Sequence, residues 1–486
     1  MAQRLVAGVD CSTQATKVIV LDADSGQVVA STRAPHRVTG VGGARETDPG
    51  DWYDALAAAL RATGHAHDLE AISIAAQQHG LVVLGPDGAP LRPAILWNDT
   101  RAVADSRTLI AQLGGPAAAT KVIGSLPGPA FTVCSWAWLR RTEPEAAREA
   151  SAIRLPHDWL TELLTGEAVT DRGDVSATGW WSTPSGEYLS EVLDLPAVRL
   201  RASMLPRVLG PDEPAGRVCS AAAEQLGLRP GIPVGPGTGD NPATALGLGL
   251  RAGVPVVSLG TSGTVFTVSA TPSADPGGTV VGLADATGRY LPLACTLNCT
   301  MAVDRIAGWL GIDRDQIAPS SAGVVALPYL DGERTPDLPH AAGSITGLRH
   351  TTEPGQILRA AYEGAVASLL GALDIIHANS SGIDADAPLV LAGGGSRGSA
   401  WRECVAALSG RAIRIAQAAE PAALGAAFQA VAVLEGRDVD GVARAWGQVG
   451  PPVLAPRPVD QAALDRISQI RADLTALNER THSAAR

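Results

Sequence analysis

The stretch Gly231–Ala245, GIPVGPGTGDNPATA, decides how this chain reads. It runs from a short apolar strand into a glycine turn and presents Asp240 and Asn241 directly before a new helix. Pro242 suits the first helical position, which needs no amide donor and wants proline's fixed φ. Asn241 is a good N-cap type, because its short side-chain oxygen accepts from free helix amides. Gly235, Gly237 and Gly239 leave the backbone uncrowded, so a ligand can come close to the carboxylate. A carboxylate at such a helix mouth can take a hydroxyl proton while nearby amides face an anion. On its own the stretch reads more readily as Asp240 capping a helix, so its meaning depends on the rest of the chain.

At 486 residues the chain is too long for one ordinary core, and two domains are expected. The 54 glycines and 34 prolines imply many tight turns. The net charge of −11 argues against nucleic acid or an anionic membrane as partners. A nucleotide phosphate must then be held by local amides, a metal and a few cations. Six cysteines form no CxxC pair and read as buried free thiols. No apolar run reaches membrane length, and the N-terminus lacks the order of a leader peptide, so a cytoplasmic location is expected.

Outward from Asp240, the first stretch of interest is DCSTQATK at 10–17, between the apolar runs Arg4–Val9 and Val18–Leu21. With Gln27–Ala30 these read as three consecutive antiparallel strands. The first turn carries Asp10, Ser12, Thr13, Thr16 and Lys17. Hydroxyls and amides can hold phosphate oxygens, and a carboxylate can hold Mg²⁺ through water. A polar hairpin whose Asp10 satisfies local amides is the competing reading. Asp48 and Pro49 open a helix over 51–63. The strand Ala71–Ala76 ends in Gln77, Gln78, His79 and Gly80, and the strands Leu81–Leu84 and Ala94–Trp97 follow, the second ending in Asn98, Asp99, Thr100 and Arg101. Those two strand ends deliver amides, an imidazole, an indole, a carboxylate and a guanidinium, which suits a polyhydroxylated substrate. His79 is accordingly expected in the substrate site. Residues 102–230 read as mostly helical, and the polar segment TDRGDVSATG at 170–179 either lines a sugar pocket or does not.

Beyond Asp240 the strand Val254–Ser258 leads through Gly260, Thr261, Ser262 and Gly263 into Val265–Val268, an echo of the first hairpin. One copy opening each half suggests two similar domains across a cleft, with this second turn meeting nucleotide phosphates. The segment LPYLDGERTPDLP at 327–339 reads as a structural brace as readily as a site. The buried strand Leu389–Ala392 runs into Gly393, Gly394, Gly395 and Ser396, a glycine turn that lets backbone pack against a nucleotide. A strand over 412–415 precedes Glu420, Pro421 and a small-residue helix over 422–434, in which Gly425 permits close packing. The tail beyond Gly450 reads as prolines followed by one amphipathic helix.

DCSTQATK, QQHG at 77–80, ILWNDTR at 95–101, GTGDN at 237–241, SLGTSGT at 258–264, PYLDGERTP at 328–336, AGGGSRGSAW at 392–401 and EPAALGAAF at 420–428 together span nearly the whole chain. In this order and spacing the chain resembles the carbohydrate kinases related to glycerol kinase and xylulokinase. The QQHG segment is similar to the xylulokinase pattern. The resemblance implies an α/β protein of the sugar kinase, actin and heat-shock ATPase fold, with two actin-like (ribonuclease H-like) domains and a mixed sheet in each. It implies a sugar-binding domain over 1–246 and a nucleotide-binding domain over 247–486, with ATP and sugar entering the cleft from opposite ends. Asp240 matches the catalytic base, and Gln78, His79, Asp240 and Asn241 match sugar contacts, with Trp97 and Asp99 beside them. Asp10 matches the magnesium-associated carboxylate. Ser12, Thr13, Lys17, Gly260–Gly263 and Gly393–Ser396 match the ATP loops. Ser12 and Gly398 depart from frequent family residues, and Gly398 puts an adenosine-side contact in doubt. The expected reaction transfers the γ-phosphoryl group of ATP to the C5 hydroxyl of D-xylulose, with Asp240 held ionised by its helix mouth. Another ketose or polyol as substrate, or a non-catalytic sugar sensor or ATPase regulator on the same fold, are the alternatives, and a homodimer is a family-level expectation.

Overall fold

The computed structural model describes residues 3–273 and 275–483, with side chains given up to residue 477. Two seven-stranded sheets organise it. In the first, the strand Leu5–Cys11 pairs antiparallel with Ala15–Asp22, which pairs antiparallel with Val28–Pro35. Leu5–Cys11 also lies parallel to Leu69–Ala76, which in turn takes Pro233–Val234 and Thr238–Gly239 as parallel neighbours. Residues of the three central strands are buried apart from the partly exposed Lys17 and Glu70, as the near-continuous apolar runs require when both faces are covered. The third strand is longer than expected and largely exposed.

The second sheet repeats the plan. Pro255–Leu259 pairs antiparallel with Gly263–Thr267 and parallel with Leu389–Ala392, which lies parallel to Ile413–Ala416. Two strands with no sequence signal, Val281–Ala284 and Tyr290–Thr296, extend it on one side. On the other edge the expected proline-rich tail forms the strand Val449–Leu454. Its prolines are tolerated there because an edge strand has one side free of ladder bonds.

The helices expected over 51–63 and 422–434 are present as Pro49–Thr63 and Pro421–Glu435, and Pro354–Asn379 and Ser399–Ser409 flank the Leu389–Ala392 strand in the chain. Asp48 caps the first, accepting from the Gly50 amide at 2.9 Å. Helix Pro421–Glu435, from the second half of the chain, packs on the first sheet. Its Ala423, Ala427 and Phe428 share a buried cluster with Val6, Ile19 and Leu21 of the first sheet. It crosses the helix Asp240–Gly247 at glycines on both sides. A Cβ on Gly425 would lie 2.0 Å from the Ala243 carbonyl oxygen, and one on Gly247 would lie 2.0 Å from that of Pro421. Small side chains therefore set how closely the element carrying Asp240 approaches the second half.

Candidate active site

Strand register brings the candidate residues together. Asp10 lies opposite Ala75 on one side of the Leu69–Ala76 strand, and Thr238 lies opposite the same Ala75 on the other. Asp10, the Gln77–His79 turn and Asp240 therefore emerge side by side at the carboxyl end of three parallel strands, where open α/β sheets bind ligands.

The helix begins at Asp240 itself, with Gly239 in the capping position. This corrects the expectation that Asn241 caps and Pro242 stands first. Asn241 does not cap because its amide is used elsewhere. Its Nδ2 donates to Gln78 Oε1 at 2.9 Å and to Asp240 Oδ1 at 3.1 Å, and its backbone N–H donates to the same Asp240 oxygen at 2.9 Å. Gln78 in turn donates to the Gly173 carbonyl at 3.4 Å. The Asp240 carboxyl is also not held ionised as expected. Burial, together with the nearby carboxylates of Asp10 and Asp174, pushes it up to about 7, and the helix amides only partly oppose this.

His79 has a left-handed backbone, φ 67°, so its ring turns back toward the Ala177 carbonyl, 2.7 Å from Nδ1. A carbonyl only accepts, so Nδ1 carries the proton and Nε2 keeps its lone pair. Burial, with Arg334 adding to it, pushes the imidazole down to about 4. The ring rests against Phe131, with centroids 5.0 Å apart.

Asp10 is buried, and burial raises its carboxyl more than Lys17 lowers it. One oxygen, Oδ2, lies 3.2 Å from Lys17 Nζ, while Oδ1 is enclosed without a hydrogen-bond partner. Lys17 also reaches Glu420 Oε2 of the second half at 2.7 Å. Burial alone would lower its ammonium, and the two carboxylates more than offset that. Ser12 Oγ closes its own turn on the Ala15 carbonyl at 2.8 Å. Thr13 accepts from the half-exposed Trp97 indole at 3.0 Å. Asp99, in contrast, is spent locally: it is buried, and its oxygens accept from the Arg101 guanidinium and from the amides of Arg45 and Arg101.

In the second sheet Ser258 lies opposite Ala392, so the turns at Gly260–Gly263 and Gly393–Ser396 leave the same end together. Gly393 has φ 77° and a Cβ there would lie 2.8 Å from the Leu259 carbonyl, so only glycine fits. Gly394 faces open space, and Thr261 and Ser262 are exposed. Ser396 turns inward to the Gly393 carbonyl at 2.7 Å. Gly398 caps the following helix with ordinary backbone, φ −74°. The 327–339 segment holds a brace: buried Glu333 accepts from the amides of Leu297 and Asn298 and from Asn298 Nδ2.

Glu420, Ala177, His157 and Asp174 were not among the expected site residues. Glu420 stands out in sequence only as a charge before a helix. Asp174 and Ala177 belong to the 170–179 segment, whose polarity was the one visible signal, and His157 stands at the head of the helix Pro156–Thr165.

A model of the FGGY family of carbohydrate kinases, N-terminal domain, matches residues 5–247, and the C-terminal domain model of that family matches residues 256–434. The chain belongs to the FGGY family of carbohydrate kinases. It is 54% identical to the xylulose kinase of Streptomyces coelicolor over 477 residues, covering 98% of each chain. It is 53% identical to that of Streptomyces rubiginosus over the same length and coverage. Among solved structures, xylulose kinase from Bifidobacterium adolescentis superposes with a TM-score of 0.86 at 32% identity, covering 96% of this chain and 99% of that one. The two mixed sheets of this FGGY kinase are thus those of the actin-like sugar kinase fold. No helix among its described residues is long and apolar enough to cross a membrane, and among those residues no three His, Cys, Asp or Glu side chains converge as a metal cage.

Proposed function

We propose that this FGGY kinase is an ATP-dependent xylulokinase that phosphorylates the C5 hydroxyl of D-xylulose. The observation that carries the sugar assignment is the near-full-length identity of over half to two relatives named xylulose kinase. The geometry supplies a consistent chemistry. Asp240, at about 7, is poised to accept the hydroxyl proton near neutral pH, which is what a general base needs. His79 Nε2 offers an acceptor, and Asn241 and Gln78 offer an amide pair, to neighbouring sugar hydroxyls. Residues 1–246 would form the sugar-binding domain and 247–486 the nucleotide-binding domain, with Ser12, Thr13, Lys17 and the turns 260–263 and 393–396 against the phosphates. Trp97 would offer its ring to the sugar, and Asp99 would act by fixing the turn that carries it.

The residues fit a hydrated Mg²⁺. The enclosed Asp10 oxygen with no donor beside it is the acceptor such an ion uses through its water shell. When bound with ATP, the ion neutralises phosphate charge; this chain's own part is to align the hydroxyl and to receive its proton at Asp240. Because phosphoryl transfer passes through a loose transition state, alignment counts for more than base strength.

A coupled assay with ATP over D-xylulose, D-ribulose, other ketoses and glycerol tests the reading. D-xylulose is expected to give the highest kcat/KM by about tenfold or more. A higher value for another sugar would reassign the substrate and keep the family.

A further inference from the structure

Directly behind the Asp240 turn lies a charge cluster that the proton transfer does not use. His157, at the start of helix Pro156–Thr165, is wholly buried, as is Asp174. Its Nδ1 is 2.7 Å from Asp174 Oδ2, and its Nε2 faces Asp158 Oδ1 at 3.3 Å and Asp171 Oδ1 at 3.8 Å. Nδ1 makes the hydrogen bond of the ring, to Asp174, and Nε2 stands beside Asp158 and Asp171 without one; burial raises all three carboxyls, Asp174 to about 7, and with carboxyls on both sides the imidazolium is the form the surroundings favour. A neutral ring would press a lone pair against a carboxylate oxygen. The charged groups around it are Asp158 from its own helix, Asp171 and Asp174 from the adjoining turn, and the Arg154–Glu162 pair behind Asp158. Although burial opposes its charge, these carboxylates raise His157 to about 9.

The cluster touches the turns that carry Asp240, Gln78 and His79. Gly237 lies on the ring, since a Cβ there would be 2.7 Å from His157 Cδ2, and its φ is 72°. Gly173 packs against Thr238, one residue after Gly237, and against Pro242 in the catalytic helix. Asp171 caps the turn by accepting from the amides of Gly173 and Asp174 at 2.7 and 2.9 Å. The carbonyls of that same turn hold the substrate side chains, Gly173 for Gln78 and Ala177 for His79.

We propose that His157 and Asp174 are positioning residues for the sugar half of the site, locking the Gly237–Asp240 turn and the 173–177 turn into one block so that Asp240, Gln78 and His79 stay in mutual register. The role rests on the kinase reading above but not on which sugar is used. A buried ion pair is a weak source of stability and a strong source of geometry, because it tolerates few arrangements.

Asp174→Asn keeps the shape and removes the counter-charge. With the sugar that the wild-type protein turns over best, kcat/KM for sugar is expected to fall about 10–100-fold, while KM for ATP stays within about twofold. Gly237→Ala presses a methyl onto the ring while leaving His157 and its three aspartates in place and is expected to give the same split. Histidine-selective nitrogen NMR of the wild-type protein is expected to show His157 doubly protonated at neutral pH. Unchanged sugar kinetics in both variants, equal losses for sugar and ATP, or a neutral His157 ring at neutral pH would each overturn the proposal. If Asp174→Asn does not fold, Gly237→Ala and the spectrum decide it. A wild-type preference for a sugar other than D-xylulose would overturn the substrate assignment alone.

Discussion

Lys17 Nζ, from the first hairpin, lies 2.7 Å from Glu420 Oε2 at the head of the helix that joins the two halves, and 3.2 Å from Asp10 Oδ2. One ammonium is thus shared between a carboxylate of each half, at the place where phosphates are proposed to enter. Both side chains of the Lys17–Glu420 pair are partly exposed, so the contact is worth about 0–1 kcal/mol to folding. Its consequence is for nucleotide handling. Lys17→Met is expected to raise KM for ATP by about tenfold or more, and any fall in melting temperature to come from the loss of the partner of buried Asp10 and not from the Glu420 contact. ATP titrations beside thermal melts test this, and an unchanged KM removes Lys17 from the phosphate site.

The pH dependence follows from Asp240. Its carboxyl is raised to about 7, so the base is switched on as pH climbs through that value. kcat/KM for sugar is expected to rise through about pH 7 and then level off. The stability sign is the reverse. Below the unfolded carboxylate range both states are protonated, and between about 4 and 7 the unfolded chain binds fewer protons, so stability falls as pH rises. Asp240→Asn is therefore expected to raise the melting temperature relative to wild type in alkaline buffer and to lose that advantage in mild acid. A uniform offset at all pH values would show that Asp240 is not raised.

His79 titrates far below neutrality, at about 4, and contributes no step to the profile between weakly acidic and alkaline pH. Its left-handed backbone makes a second, separable statement. A side chain at φ 67° costs about 1–2 kcal/mol that glycine avoids, so His79→Gly is expected to unfold at higher denaturant than His79→Ala. Both variants are expected to lose sugar kcat/KM with little change in KM for ATP. Equal denaturation midpoints would mean that the turn relaxes without the ring.

Two glycines of similar appearance in the sequence separate by function. Gly425→Ala places a methyl 2.0 Å from the Ala243 carbonyl and is expected to cost about 1–3 kcal/mol or more and to displace the Asp240 helix. Gly394→Ala meets no atom within 4 Å and is expected to fold normally while raising KM for ATP. Denaturant melts and ATP titrations distinguish the two. A well-folded, fully active Gly425→Ala protein would show that the helix crossing has slack.

The sequence carried the parts of this protein that are local. Apolar runs around short hydroxyl-rich turns marked both hairpins, and the strand ends were where the candidates Asp10, Gln78, His79 and Asp240 were read. Asn241 misled, because a good capping residue was recruited by Gln78 across the sheet, a contact that no local rule anticipates. Val281–Ala284 and Tyr290–Thr296 escaped because Gly282 and Pro292 interrupt their pattern, although the two residues face each other in the outer strand pair of the sheet. Val449–Leu454 looked like a loop because of Pro451 and Pro452, which an edge position permits. His157 was invisible as a charge centre, since two of its three carboxylates lie 14 and 17 residues further along the chain, beyond the helix it opens.

Asp240 as the group that receives the sugar proton is the centre of the account, and the single-turnover rate of phosphoryl transfer in Asp240→Asn, with sugar affinity measured on the same preparation, tests it most directly. The predicted result is a rate lower by about 10²–10⁴ with sugar still bound. A near-normal rate in a folded, sugar-binding variant would contradict it.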